Sequence, residues 1–229
     1  MSAHHADDGL PVPVSTLAED PPAGGRQAPP SGVVVGDDGR ARPSWAARDP
    51  LLREYYDTEW GLPVTDEPGL FERLVLEAFQ SGLSWRTVLA KRPRFREVFA
   101  GFDPDAVAAF GDAEVEALLA DPGIIRNRRK IEAAVANAQA VVGMRGERFA
   151  PLHPGSPGAG PAWHGDGDRP ARGLPGLVWA HQPAATPRPE TVALIPSASD
   201  ESRALARALK AHGCRFVGPT TCCLLYTSD

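Results

Sequence analysis

A succession of helix-start signals between residues 66 and 142 constrains the fold more than any other feature of the sequence. At Asp66 and Asp103, an aspartate that can cap a helix is followed within two residues by a proline, which favours the first helical turn. Apolar residues then recur at helical spacing, and no segment alternates apolar and polar residues as a half-buried strand does. The sequence therefore predicts an all-α core, with helices opening at Asp66, Ser84 (a short helix to Leu89), Asp103, Asp112 and about Arg126.

Two stretches rich in proline and glycine flank and interrupt this core. Residues 1–40 contain few large apolar residues, so they cannot bury enough surface to offset the entropy of ordering and are expected to be a disordered tail. Residues 149–176 have a similar composition, and a loop of this length in a compact domain is either functional or a disordered insertion. We expect an insertion, within one domain that spans residues 41–222.

The charge of the chain gives only weak information about its partners. The formal net charge is -5, and in residues 1–40 the acidic residues outnumber the two basic ones, Arg26 and Arg40. Because DNA binding needs a local basic patch rather than a basic pI, this balance does not exclude it. The first residues lack the basic and apolar regions of a signal peptide, and no apolar run is long enough to span a membrane. A cytoplasmic monomer without membrane partners is expected.

Glu77 is the most informative single residue. On the helix that opens at Asp66, residues 70, 74 and 77 lie one turn apart, so Glu77 continues the apolar stripe of Leu70 and Leu74. A carboxylate beside apolar side chains is costly unless it meets a cation or a hydrogen-bond donor, and such a position is a candidate ligand pocket. The alternative is a carboxylate at a helix end that reaches solvent or pairs with an arginine. The pattern alone leaves both open.

Aromatic residues are dense in the sequence around Glu77. Trp45, Tyr55, Trp60 and Trp85 all lie between residues 45 and 85. Aromatic residues of this kind are usually core residues. Their clustering beside an isolated carboxylate nevertheless favours a pocket.

A turn followed by basic residues suggests a second functional region. Pro122 and Gly123 join two predicted helices, and free backbone amides at the start of the second helix can bind phosphate. Four of the five residues 126–130 are basic, and another basic run occupies residues 91–96. Each run alone is compatible with a solvated helix face. Together with the turn, they indicate contact with a DNA backbone.

Four sequence motifs occur in order along the chain: YYDTEWG at residues 55–61, LEAFQSGLSW at 76–85, GIIRNRRKI at 123–131 and FVGPTTC at 216–222. They resemble the motifs of the 3-methyladenine DNA glycosylase I family, and the match runs from about Pro43 to Cys222. The resemblance implies a helix-hairpin-helix DNA glycosylase fold. It also implies that the substrate is double-stranded alkylated DNA.

The resemblance implies roles for individual residues. Glu77 falls at the family's base-recognising carboxylate. Gly82 and Leu83 fall in the loop that fills the gap left by a flipped base. The aromatic residues of the family's base pocket are matched by Trp45, Tyr55, Trp60 and Trp85. Its DNA-binding hairpin is matched by Gly123, Arg126, Arg128 and Lys130.

Two departures from the family lie at the ends of the match. Family members often bind a structural zinc through Cys and His near the N-terminus and His and Cys near the C-terminus, but Pro43 and Tyr56 stand at the first two positions. We therefore predict no metal and no cofactor. Residues 223–229 do not match the family, and these seven residues after the last motif are too few for a stable isolated helix. We expect this tail to lack the packed helix with which relatives continue.

The implied reaction is hydrolysis of the N-glycosidic bond of a flipped 3-methyladenine. Because this base is cationic, stacking on aromatic rings, worth roughly 0.5–2 kcal/mol per ring, and an ionised Glu77 would favour it over adenine. Two alternatives stay open. In the first alternative, the chain is a helix-hairpin-helix protein that binds DNA without catalysis. In the second, it is a bifunctional glycosylase with lyase activity, for which Lys130 is the only candidate amine.

Overall fold

The structure of the protein is a computed structural model, and it describes residues 32–153, 172–184, 194 and 196–227. A short hairpin of β1 (Val33–Val35) and β2 (Ala41–Pro43) precedes a series of helices. These are α1 (Ser44–Ala47), α2 (Pro50–Thr58), α3 (Glu67–Gln80), α4 (Trp85–Val98), α5 (Pro104–Ala108), α6 (Asp112–Ala120), α7 (Arg128–Met144), α8 (Gly173–Ala180), α9 (Asp200–Ala211) and α10 (Pro219–Thr227).

The helix starts follow the capping signals in the sequence. The Asp66 carboxylate accepts from the Gly69 amide at 2.8 Å to open α3, and the Ser84 hydroxyl accepts from the Thr87 amide at 3.2 Å to open α4. The expectation of a short helix after Ser84 was wrong, because α4 continues through Pro93 to Val98. Packing explains the extension: Phe95, just past the proline, is fully buried, and its ring lies 4.8 Å from that of Phe79.

Helix α3 is central to the core, where it contacts α4, α7, α8 and α10. Its apolar face buries Leu70, Phe71, Leu74 and Phe79 almost completely. Helices α6 and α7 are joined by residues 121–127 and form the hairpin that the sequence predicted. Helix α7 packs on both α5 and α3, so the hairpin is attached to the helix that carries Glu77.

The β-hairpin corrects the expectation that no strand forms and, for residues 32–40 only, the expectation of a disordered tail. Val34 pairs with Arg42, and the Arg42 guanidinium bonds to Asp38 at 2.6 and 2.9 Å and to Asp57 on α2 at 2.6 and 2.8 Å. These bonds fasten the hairpin to α2. An Asp-Gly pair at residues 38–39 is a hairpin signal that the compositional argument overlooked. Residues 1–31 lie outside the described residues.

The low-complexity stretch expected at 149–176 ends earlier than its composition suggested. Residues 154–171 lie outside the described residues, whereas α8 begins at Gly173 and buries Leu174 and Leu177 in the core. The Trp179 indole donates to the Val64 carbonyl at 3.0 Å and secures the helix beside α3. The glycines and proline of α8 concealed a buried helix of high apolar content.

The tail after Cys222 also differs from expectation. Helix α10 runs from Pro219 to Thr227, packs against α9 and α3, and buries Cys223 and Leu225. The helix-length argument applies to an isolated helix, whereas packing stabilises this one. The end of the family match at Cys222 therefore does not coincide with a structural boundary. Across the described ranges, none of the helices combines the length and apolar character required to cross a membrane.

Candidate active site and nucleic-acid interface

Glu77 lies on the buried side of α3 and not at a solvent-exposed helix end. Its side chain continues the stripe of Leu70 and Leu74, and the residue is 7% exposed. Burial raises the pKa of Glu77 to about 8, because desolvation penalises the charged carboxylate, and the charge of Arg73 one turn earlier only partly opposes this. Its Oε2 atom is buried without a hydrogen-bond partner. An unsatisfied atom of this kind typically costs about 1–3 kcal/mol unless a ligand supplies a partner.

Two aromatic side chains stand beside this carboxyl. Tyr55 on α2 is buried, Trp85 in the first turn of α4 is partly buried, and their ring centroids lie 5.4 Å apart at 60°. The Trp85 indole nitrogen, like the Glu77 Oε2 atom, is buried without a partner. The structure thus brings together three of the residues predicted for the base pocket, with one unpaired donor and one unpaired acceptor.

These residues line a small pocket between α2, α3, α4 and α10. Its volume of about 10 Å³ is about the room that one water molecule needs, so a purine enters only if side chains move outward. The residues that line it are Tyr55, Glu59, Arg73, Leu76, Glu77, Trp85, Arg92 and Leu225.

Sequence reasoning missed the charged residues of this lining. Arg73 precedes Glu77 by one helical turn on α3, a spacing that reveals the pairing in principle. Glu59 and Arg92 come from different elements and are joined by bonds of 2.7 and 2.8 Å. No local pattern predicts that contact.

Trp45 and Trp60 are not among the residues that line this pocket. They form a separate cluster with Tyr56: the Trp60 ring stacks on Tyr56 at 5.0 Å, and Trp45 meets the two rings edge-on at 5.6 and 6.4 Å. Trp45 is 39% exposed and Trp60 37% exposed. The expectation that all four aromatic residues surround Glu77 is therefore corrected, because the α2 helix directs Tyr55 inward while its neighbour Tyr56 joins the outer cluster.

The loop predicted to enter DNA is exposed and tightly turned. In this loop, which we call the wedge loop and define as residues 81–84, the Leu83 amide donates to the Gln80 carbonyl at 2.6 Å. Gly82 has a φ of +81°, which suits the third position of a type II turn and strains any residue with a side chain. Leu83 is 41% exposed, which is unusual for a leucine beside a packed core. The loop presents an apolar side chain to solvent next to the pocket residue Trp85.

The hairpin turn at Gly123 is held by side chains from α4. The Lys91 Nζ atom donates to the Pro122 and Gly123 carbonyls at 2.9 and 3.2 Å, and the Gly123 amide donates to the Asp121 carboxylate at 2.6 Å. That amide is therefore not free for phosphate. A Cβ atom at Gly123 would lie 2.6 Å from the Arg94 Cγ atom and 2.9 Å from the Asp121 Oδ1 atom, so any larger residue would displace these side chains.

The basic side chains of residues 91–96 bond to other groups of the protein. Arg92 and Arg96 bond to the Glu72 carboxylate at 2.5 and 2.9 Å, and Arg94 bonds to Asp121 at 2.8 Å and to Glu97 at 2.6 Å. The interpretation of this run as a DNA-backbone contact was therefore wrong. Its positive charges neutralise nearby carboxylates.

The residues of the second basic run, 126–130, differ in their exposure to solvent. Arg126, Arg128 and Arg129 are exposed, although Arg128 pairs with Glu116 at 2.6 Å. Lys130 is only 7% exposed, and its Nζ atom donates to the carbonyls of Phe79 and Ser81 at 2.9 and 2.6 Å. The prediction that Lys130 contacts phosphate is corrected, because the first turn of α7 directs its side chain into the protein.

Comparisons with known proteins agree with this arrangement. The family model described as methyladenine glycosylase matches residues 45–153. DNA-3-methyladenine glycosylase 1 of Escherichia coli K12 is 41% identical over 186 residues, which cover 79% of this chain and 86% of that protein. This chain belongs to the methyladenine glycosylase family.

Solved structures support the same assignment. A crystal structure of 3-methyladenine DNA glycosylase I superposes with a TM-score of 0.67 at 37% identity, over 80% of this chain and 90% of that one. The Staphylococcus aureus 3-methyladenine DNA glycosylase I, whose structure addresses 3-methyladenine recognition, gives a TM-score of 0.63 at 27% identity, over 78% and 84%. The all-α helix-hairpin-helix glycosylase fold that the sequence predicted is confirmed.

As a methyladenine glycosylase, this chain departs from its relatives at the family's zinc positions. Pro43 at the end of β2 offers no donor side chain, and the Tyr56 ring is stacked on Trp60. Within the described ranges, no three His, Cys, Asp or Glu side chains come together as a metal site. The residues present do not fit the family's structural zinc.

Proposed function

We propose that this chain is a monofunctional DNA glycosylase, acting as a cytoplasmic monomer, that flips 3-methyladenine out of double-stranded alkylated DNA and hydrolyses its glycosidic bond. The observation that carries the proposal is the buried Glu77 carboxyl, whose Oε2 atom lacks a partner in an aromatic-walled pocket. Membership of the methyladenine glycosylase family supports the choice of base.

The raised pKa of Glu77 supplies a basis for selectivity. With a pKa of about 8, the carboxyl is mainly protonated at pH 7 in the empty pocket. A cationic base offers a positive charge that offsets the cost of an ionised buried carboxylate, so its entry favours loss of the proton. Neutral adenine offers no such compensation. Glu77 then accepts a hydrogen bond from the exocyclic amine of the damaged base, and this bond becomes charge-assisted.

The aromatic side chains contribute the remaining recognition. Stacking of a cationic purine on Tyr55 or Trp85 is worth roughly 0.5–2 kcal/mol per ring. The unpaired Trp85 indole N–H can donate to an acceptor on the base or the sugar. Because 3-methyladenine departs as a neutral molecule, the reaction needs no strong general acid. Water completes the hydrolysis at the anomeric carbon.

Features of the exposed surface fit the DNA side of this reaction. Leu83 on the wedge loop is positioned to fill the space that a flipped base leaves, and flipping costs a few kcal/mol that such a contact helps to offset. Arg126 at the hairpin is exposed and suited to phosphate. We assign both roles as proposals that mutagenesis can test.

The bifunctional alternative loses its candidate nucleophile. Lys130 is buried, both of its observed bonds go to backbone carbonyls, and it does not line the pocket. An amine that attacks the anomeric carbon must reach the flipped nucleotide. The arrangement of Lys130 therefore favours simple hydrolysis.

A base-release assay tests the proposal directly. Methylated and unmethylated duplexes of the same sequence are incubated with the protein, and released bases and strand integrity are measured in parallel. The proposal predicts free 3-methyladenine from the methylated duplex and an intact abasic strand. Strand cleavage would instead indicate lyase activity. Binding without base release would indicate a DNA-binding protein without catalysis.

A further inference from the structure

Lys130 occupies an unusual position between the two DNA-facing parts of the molecule. It lies in the first turn of α7, immediately after the exposed residues 126–129 of the hairpin. Its Nζ atom crosses to α3 and donates to the Phe79 carbonyl at 2.9 Å and the Ser81 carbonyl at 2.6 Å. One side chain thus joins the hairpin to the beginning of the wedge loop.

The bonds of Lys130 satisfy groups that the helix leaves open. The last carbonyls of α3 have no intrahelical donors, and a cation near a helix C-terminus interacts favourably with the helix dipole. Lys130 provides both the donors and the charge. Its burial lowers its pKa, because desolvation disfavours the ammonium form. Burying the ammonium group at this position therefore costs folding free energy.

The wedge loop needs such a tether, because packing does little to fix it. All four of its residues, 81–84, are exposed, and Gly82 adds backbone freedom. A leucine that enters a base stack is pushed back by the DNA. This force must be resisted by the part of the protein that holds the phosphates. The bond from Lys130 to the Ser81 carbonyl provides that connection.

We propose that Lys130 is a positioning residue that fixes the wedge loop against the hairpin, so that phosphate contact and insertion of Leu83 occur in one rigid geometry. This inference rests on the proposed function. Lys130 contacts neither the base nor the phosphate and acts through Leu83. Its loss impairs base flipping and leaves the pocket itself intact.

The test compares Lys130→Met, which keeps the length of the side chain and removes both bonds, with the wild type and with Lys130→Arg. Lys210→Met, on the exposed face of α9, is the matched control for loss of one positive charge. Single-turnover excision from methylated DNA and flipping of 2-aminopurine opposite a mismatch are measured for each variant. Binding of free 3-methyladenine reports separately on the pocket. If Lys130→Met does not fold, Lys130→Gln, which keeps one amide donor group, replaces it.

We expect Lys130→Met to lower excision and flipping by about tenfold or more, since small displacements of a positioning group have effects of this size. Affinity for the free base and the salt dependence of DNA binding should be unchanged, and Lys130→Arg should restore part of the activity. Combined with Leu83→Ala, Lys130→Met should cause no further loss, because both changes act on the same step.

Three results would overturn the inference. Excision equal to the wild type would remove Lys130 from the reaction, and a parallel loss of free-base affinity would show a general structural role. A shallower salt dependence would show a phosphate contact. Failure of the wild type itself to release 3-methyladenine refutes the proposed function and this inference with it, whereas an active wild type with an unchanged Lys130→Met refutes the inference alone.

Discussion

Helix α3 carries two buried glutamates with opposite surroundings. Glu72 is 8% exposed and Glu77 is 7% exposed, and only five positions separate them. Glu72 accepts from the guanidinium groups of Arg92 and Arg96 at 2.5 and 2.9 Å. In contrast, the Oε2 atom of Glu77 has no hydrogen-bond partner. The two carboxylates are thus equally buried on one helix, but within the described residues only Glu72 forms ion pairs that balance its charge.

This contrast separates a structural carboxylate from a functional one. The arginines from α4 compensate the desolvation of Glu72 and join two core helices. Glu77 lies beside a pocket, where the charge of Arg73 offsets its desolvation only in part, and burial raises its pKa to about 8. Such a group lowers the free energy of unfolding, and a ligand that supplies a partner for it can offset this cost. A cationic purine has the charge and the donors to do so.

Removing the compensated carboxylate should have the largest effect on stability. Glu72→Gln removes one of the two carboxylates that pair with Arg92, the other being Glu59, and breaking a buried pair typically costs up to about 3–5 kcal/mol. Urea denaturation measures the change. The control is Glu116→Gln, whose ion pair with Arg128 is exposed and should contribute less than about 1 kcal/mol. Equal losses in the two variants would remove the distinction between buried and exposed pairs.

Removing the carboxylate of Glu77, whose desolvation is offset only in part, should stabilise the protein. The folded pKa of Glu77 lies above the ordinary value of 4.5, so its contribution to stability is complete at low pH and declines as pH rises from about 4.5 to 8. Glu77→Gln avoids this decline and should gain about 3 kcal/mol at pH 7 but less than about 1 kcal/mol at pH 5. Thermal unfolding at the two pH values checks the difference. A gain that does not depend on pH would contradict the raised pKa.

The outcomes for the two carboxylates show what local sequence can predict. The position of Glu77 on an apolar stripe is a periodicity argument within one helix, and the structure confirms its burial. The capping residues Asp66 and Ser84 are equally local and also predicted correctly. Glu72 was not distinguished, because its arginine partners lie 20 and 24 residues away on another helix.

The wrong predictions also concern contacts between residues that are distant in sequence. Runs of basic residues at 91–96 and 126–130 look alike in sequence, but whether an arginine or lysine faces solvent or a carboxylate depends on tertiary packing. Lys130 was assigned to phosphate and is buried, while its neighbour Arg129 is exposed. Trp45 and Trp60 were assigned to the pocket from their clustering in the sequence and from the family motifs, neither of which shows that the two rings pack with Tyr56. The β-hairpin and helix α8 were missed because composition outweighed their short local signals.

The smallest expected effect concerns the exposed cations. Arg126→Ala should weaken DNA binding equally on any sequence and reduce the salt dependence by up to about one unit, because one phosphate contact is lost. Fluorescence anisotropy at several salt concentrations measures both quantities. Arg203→Ala on α9, which also removes an exposed arginine, serves as the control and should leave the slope unchanged. A change in sequence preference at constant salt slope would assign Arg126 to base contact instead.

The pH dependence of 3-methyladenine excision tests the role of Glu77 most directly. Excision by the wild type and by Glu77→Gln is measured under subsaturating conditions between pH 6 and pH 9, so that the rate reports the ionisation of the free enzyme. Since the ionised carboxylate binds the cationic base, wild-type kcat/KM should rise with pH, reach half of its maximum near the pKa of about 8 and level off above it. Glu77→Gln should be at least about tenfold slower at pH 8 and show no such rise. An equally fast variant with the wild-type profile would contradict the account.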